Sequence, residues 1–132
     1  MTHLIEAADQ MKTLVGKNML LSFVEVAKLD HLLFKFRVYQ QVSGTGHGHA
    51  HPTSDPHQCR FGHWYYGGEG QALAGKNPAY RELEAPHNEV HQSGSAALNA
   101  WNSGQKTQVL EQLQRMENSS SKLVAILDRI SH

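Results

Sequence analysis

From Leu20 to Val38 apolar residues recur in a 4-3 rhythm, through Leu20, Val24, Ala27, His31, Phe34 and Val38, and the one polar member of the series is a histidine. That rhythm is the period of a helix turning one stripe toward the interior of a bundle, so His31 is expected on a buried seam. The same spacing carries Val109, Leu113, Met116, Ser120, Leu123, Leu127 and Ile130. It appears again in His87, His91, Gly94, Leu98 and Trp101, which sets both histidines of an HxxxH pair on one inward stripe, one turn apart. A shorter stripe, Leu4, Ala8, Met11 and Val15, is expected to end at Gly16. With no strand-like alternation and no internal repeat, the pattern predicts an all-α fold, an antiparallel four-helix bundle with a shorter additional helical segment.

The breaks are read from turn chemistry. Residues 44–57 form a glycine- and histidine-rich loop that carries His47, His49, His51 and His57. Asp55-Pro56-His57-Gln58 has the form of a helix start, with Asp55 as cap and Pro56 in the first helical position. Gly67 to Pro78 is a glycine-rich break, Pro86 suits the first turn of the helix carrying His87, and Asn102-Ser103-Gly104 separates the last two helices. The 132 residues are expected to form one domain. Twelve basic and twelve acidic residues cancel, which gives no field to recruit nucleic acid or an anionic membrane. No apolar run reaches the roughly 18 residues of a membrane span, and the start of the chain lacks signal-peptide features, so a cytoplasmic protein is expected.

The segment from Met19 to Gln41 has a second apolar stripe, Val26, Leu29, Leu33 and Phe36, on another face. One bundle does not need both. The excess predicts a homodimer built on the second stripe, with two-fold symmetry.

Cys59 is the only cysteine, so no intramolecular disulfide exists, and it stands 28 residues after His31 and 28 before His87. Each feature has a bland reading. A histidine on a core seam is commonly a hydrogen-bonded structural residue, a helical HxxxH is commonly a surface coincidence, and a lone thiol is commonly an inert core residue. Metal ligation accounts for all of them together: zinc takes four ligands in a tetrahedron and accepts thiolate and neutral imidazole, so His31, Cys59, His87 and His91 would complete its shell. Positions near helix N-termini would favour the thiolate of Cys59 and the neutral form of His87. Trp64, Tyr65 and Tyr66 are read as core aromatics covering the site rather than a ligand cage, and Gly62 as a point of close helix approach.

The chain resembles the chemoreceptor zinc-binding domain family. The resemblance rests on Asp30-His31 with an aromatic at Phe34, on Cys59-Arg60-Phe61-Gly62-His63-Trp64 in place of the family's CxxGxW string, and on Pro86-His87-Asn88-Glu89-Val90-His91. It spans about residues 18–132, and Phe34 stands where the family often has tryptophan. The resemblance implies a four-helix bundle holding one Zn2+ through three histidines and a cysteine. It also implies a dimer, and a regulatory rather than enzymatic role in bacterial signalling, upstream of a chemoreceptor or diguanylate cyclase output. No methyl-accepting hairpin or cyclase domain is read within these 132 residues, so the output is expected in a partner or a missing portion.

Two other classes compete with this reading. A zinc hydrolase would keep three ligands and an activated water and would need a base, with Asp30 and Glu89 the nearest acids in sequence. A hemerythrin-like di-iron bundle would need more histidines and bridging carboxylates, and an inward thiol argues against it. The loop histidines are read as solvated, with metal collection as the alternative.

Overall fold

The computed structural model of the chain describes residues 2–44 and 59–131. Helix α1 (Thr2–Val42) is one 41-residue helix. Gly16, the expected stop, lies inside it. A lone glycine costs a helix only about 1 kcal/mol relative to alanine, and neither proline nor a second glycine stands beside it to complete a break. The helix closes instead at Gly44, whose φ of +78° suits a residue without a Cβ.

Four shorter or later helices follow: α2 (Arg60–Tyr66), α3 (Glu69–Ala74), α4 (Glu84–Asn102) and α5 (Lys106–Ser131), with a 3-10 helix over Pro78–Leu83. Among the described residues there is no strand, as the sequence predicts. The helix start expected at Asp55-Pro56 and the loop histidines His47, His49, His51 and His57 fall outside the described residues. The stretch 67–78, read as a plain break, contains α3. Gly70 on α3 lies against the Trp64 ring so closely that a Cβ there would come within 2.8 Å of it. The 3-10 helix starts from Asn77, whose side chain accepts from the Ala79 amide at 3.0 Å. Pro86 occupies the first turn of α4, where its missing N–H breaks no helical bond.

Helices α4 and α5 are joined by a tight turn at Gly104 and pack along each other, and α1 packs against both. Ion pairs from α1 to α5, Lys28 with Asp128 and Lys35 with Glu117 (3.2 Å), show that these two helices run in opposite directions. Most positions of the predicted seams are buried, with Leu20 and Leu113 half-buried. On α1, Val24, Ala27, His31, Phe34 and Val38 are buried; on α5, Val109, Met116, Ser120, Leu123, Leu127 and Ile130 are. Trp101 departs from its seam and is 40% exposed at the end of α4.

The core has two apolar clusters. Val24, Ala27, Phe61, Trp64, Leu83, Leu123 and Leu127 belong to one, and Phe34, Val38, Val90, Leu98 and Met116 to the other. On α1 the division falls at His31. Each fully buried Leu, Val or Phe contributes roughly 1.5–3 kcal/mol, so the apolar clusters supply the folding free energy that burying a polar layer does not.

The first turns of α1 take no part in this core. Apart from half-buried Gly16, residues 4–19 are exposed, and packing starts at Leu20 and Phe23. The overhang is about 24 Å long at 1.5 Å per residue. Because α1 is uninterrupted, the stripe Leu4, Ala8, Met11, Val15 and the stripe Val26, Leu29, Leu33, Phe36 lie on the same face. They are related by steps of 11 residues, three turns of helix, and Asn18 and Ser22 bridge them. Leu4, Met11, Val15, Leu29, Leu33 and Phe36 are all exposed, on the side of α1 opposite His31.

Candidate metal centre

Three separate elements bring four nitrogen and sulfur donors together. Helix α1 supplies His31, the residue at the start of α2 is Cys59, and α4 supplies His87 and His91 one turn apart. Their ligand atoms all lie within 4.8 Å of one another. Zinc bonds of about 2.0–2.3 Å give a tetrahedron edges of roughly 3.3–3.8 Å, so the cluster is close to the size of one zinc shell. Cys59 Sγ is 3.2 Å from His87 Nε2, and the His31 ring centre lies 5.0 Å from that of His87 and 5.9 Å from that of His91.

Local structure fixes the donor atoms. His31 Nδ1 lies 2.7 Å from the carbonyl oxygen of Ala27, one turn earlier on α1. A carbonyl can only accept, so Nδ1 carries the proton, and the neutral ring presents an unprotonated lone pair at Nε2. That Nε2 is buried with no hydrogen-bond partner among the described residues. A buried lone pair facing two imidazoles and a thiol is what a cation requires and what an apolar core does not tolerate. Burial also pushes the His31 pKa below its ordinary value, against the opposing hydrogen bond to Ala27, which keeps the ring neutral.

Cys59 caps α2 with its sulfur, accepting from the Gly62 amide at 3.3 Å with extended backbone (φ −77°, ψ 163°). The sequence places a thiolate here on the strength of the helix terminus. In the metal-free protein burial is the larger influence and raises the thiol pKa, with the Gly62 and Phe61 amides opposing it. The cation, rather than the seven-residue helix, is what would hold sulfur as thiolate. Gly62 is buried, and its part in the site is that amide contact.

The aromatic lid differs from the expected one. Phe61, not singled out by the sequence reading, covers the site, with its ring centre 4.3 Å from that of His87 and 5.6 Å from that of His31. Trp64 is buried one step further out, stacked on Phe23 at 4.2 Å, while Tyr66 is 39% exposed. On the other side Phe34 lies 4.7 Å from His91, and Gly94 leaves the room, since a Cβ there would come within 2.8 Å of the Phe34 ring. Gly94 stands three residues after His91 on the same stripe, and that spacing is the signal that would have found it.

The cluster contains no carboxylate. Asp30 pairs with Arg60 at 3.3 Å, and Glu89 pairs with Arg115. A cleft of about 370 Å³ leads from the surface to His31, Cys59 and His91, walled by Asp30, Leu33, Arg37 and Arg60.

The model of the chemoreceptor zinc-binding domain matches residues 31–98, just over half of the chain and a span that contains all four donors. The chain belongs to the chemoreceptor zinc-binding domain family. The match is narrower than the 18–132 expected from the motifs. No curated protein and no solved structure matches the chain. Zinc is the metal of this family, and His31, Cys59, His87 and His91 lie close enough together to hold such an ion. No described helix is long and apolar enough to cross a membrane.

Proposed function

We propose that His31, Cys59, His87 and His91 are the four ligands of a regulatory zinc site, and that occupancy of this site controls a signalling output. The observation that carries the reading is the convergence of four nitrogen and sulfur donors from three elements around the unpartnered lone pair of His31 Nε2. Zinc bound there ties α1 to α4 and to the start of α2. A structural zinc contributes roughly 10–16 kcal/mol of apparent binding free energy at neutral pH, comparable to the stability of a whole domain, so its loss changes helix packing by enough for a partner to read.

Two triggers act through the same bond. One is a fall in free zinc. The other is oxidation of the Cys59 thiolate by a hydroperoxide, in which sulfur takes one oxygen to become sulfenate and the hydroperoxide is reduced to the corresponding alcohol or water. In this reading residues 1–132 are a single cytoplasmic domain in which α1, α4 and α5 are the long members of an antiparallel four-helix bundle, with the shorter helices closing it. Two copies associate along the exposed stripe of α1. The output is of chemoreceptor or diguanylate cyclase type, in a partner protein or an attached domain, and the module itself catalyses nothing.

Metal analysis of protein purified without added metal tests the assignment. About one zinc per chain is expected, lost together with binding in Cys59→Ser and His87→Ala. Iron with visible absorption would overturn it in favour of a di-iron bundle.

A further inference from the structure

Leu33 has two roles in the geometry: it is a wall of the cleft that leads to Cys59, and it lies on the exposed apolar stripe of α1. At 100° per residue, Asp30 and Arg37 stand within roughly 60° of Leu33 around the helix, so the cleft mouth opens along the flank of that stripe. Whatever covers the stripe at residues 29–36 therefore reaches the cleft mouth.

The stripe is suited to a second copy of this chain. From Leu4 to Phe36 none of its positions is charged, in a protein that is 18% charged overall. It exposes apolar area on the order of several hundred Å², comparable to the larger patches of monomers and to much of one side of a standard interface. The 11-residue step keeps it on one side of a nearly straight helix over its whole length, as self-pairing of two long helices demands. A copy seated there is already part of the proposed function, and the consequence for Cys59 rests on that homodimer.

We infer that self-association closes the cleft, so that assembly state sets how fast Cys59 can be reached. In the monomer the route past Asp30, Leu33 and Arg60 is open to small reagents and to chelators. In the dimer the second α1 lies over Leu33 and narrows the mouth. Dilution or dissociation then sensitises the site, and a signal that separates the two copies also exposes the thiol.

The test uses the metal-free full chain, iodoacetamide as probe, and mass spectrometry to follow alkylation of Cys59 across protein concentrations, with light scattering in parallel. The wild-type rate is expected to fall as dimer forms, by about tenfold where nine-tenths of the chains are paired, because only the open fraction reacts. Leu29→Glu lies on the stripe outside the cleft wall, and Met11→Glu lies on the overhang, where it touches no core; both are expected to stay monomeric and keep the fast rate throughout. A wild-type dimer whose alkylation rate does not change with concentration would overturn the inference and leave the homodimer standing. A protein that stays monomeric at high concentration would overturn both. Stripe variants that still dimerise and still protect Cys59 would place the interface elsewhere and also defeat the inference.

Discussion

Residues 4–19 and residues 20–42 of α1 belong to one helix yet are held in different ways. The second part buries Val24, Ala27, Phe34 and Val38 and positions His31, so its helicity is secured by packing. The first part buries no side chain in the protomer. An isolated helix of that length is marginal in water, so the overhang is propagated from a nucleus that the core supplies. Covalent continuity of a helix and shared stability are thus separate properties, and α1 has only the first along its whole length. Hydrogen exchange should divide the helix near Leu20, with fast exchange before it and protection after it in the monomer.

The largest effect belongs to the metal. Cys59→Ser replaces a thiolate with a neutral hydroxyl, and zinc competition against a chromophoric chelator should show affinity falling at least about 100-fold, while exchange in the overhang is unaltered. Unchanged affinity would reduce Cys59 to a core thiol. Next is Gly94→Ala, whose Cβ would meet the Phe34 ring at 2.8 Å. Forcing α1 from α4 beside His91 should cost about 1–3 kcal/mol in urea unfolding and weaken zinc binding, a pairing that a defect remote from the site would not produce.

If the proposed dimer forms, Leu33→Glu should dissociate it by light scattering and leave zinc near one per chain, with monomer stability changed by no more than about 0.5 kcal/mol because the side chain is 42% exposed. The smallest change is Gly16→Ala. Nothing lies within 4 Å of the position a Cβ would take, so the substitution should slow exchange in the overhang by about 1 kcal/mol or less without touching zinc affinity. Slower exchange around His31 would show that the two parts of α1 share stability after all.

Much of this division was legible in the sequence, and the remainder has physical reasons. The 4-3 seams and the four donors could be read because periodicity and ligand chemistry are local signals. Gly16 misled because a single glycine weakens a helix without ending it, and the false stop hid the fact that the two apolar stripes share one face. The stripe places Gly94 beside His91, but Phe61's cover over His87 depends on what packs opposite it, which no spacing along one helix specifies. Trp101 follows its seam in sequence and leaves the core in space because α4 ends one residue later, beyond the reach of its neighbours. The helix terminus does favour the Cys59 thiolate through the Gly62 and Phe61 amides, but the burial that outweighs them depends on packing and is not a local signal.

The sulfur of Cys59 serves two neighbours at once: it receives the Gly62 amide at the first turn of α2, and it faces the histidines. Chemistry at that one atom is therefore written directly into the backbone. A bond to oxygen uses one of the sulfur lone pairs and weakens what the amide receives, whereas a departing cation returns a pair to the sulfur and strengthens it. In the proposed switch, the peptide that begins α2 would be the first part to move, because its amide is bonded to the atom that changes.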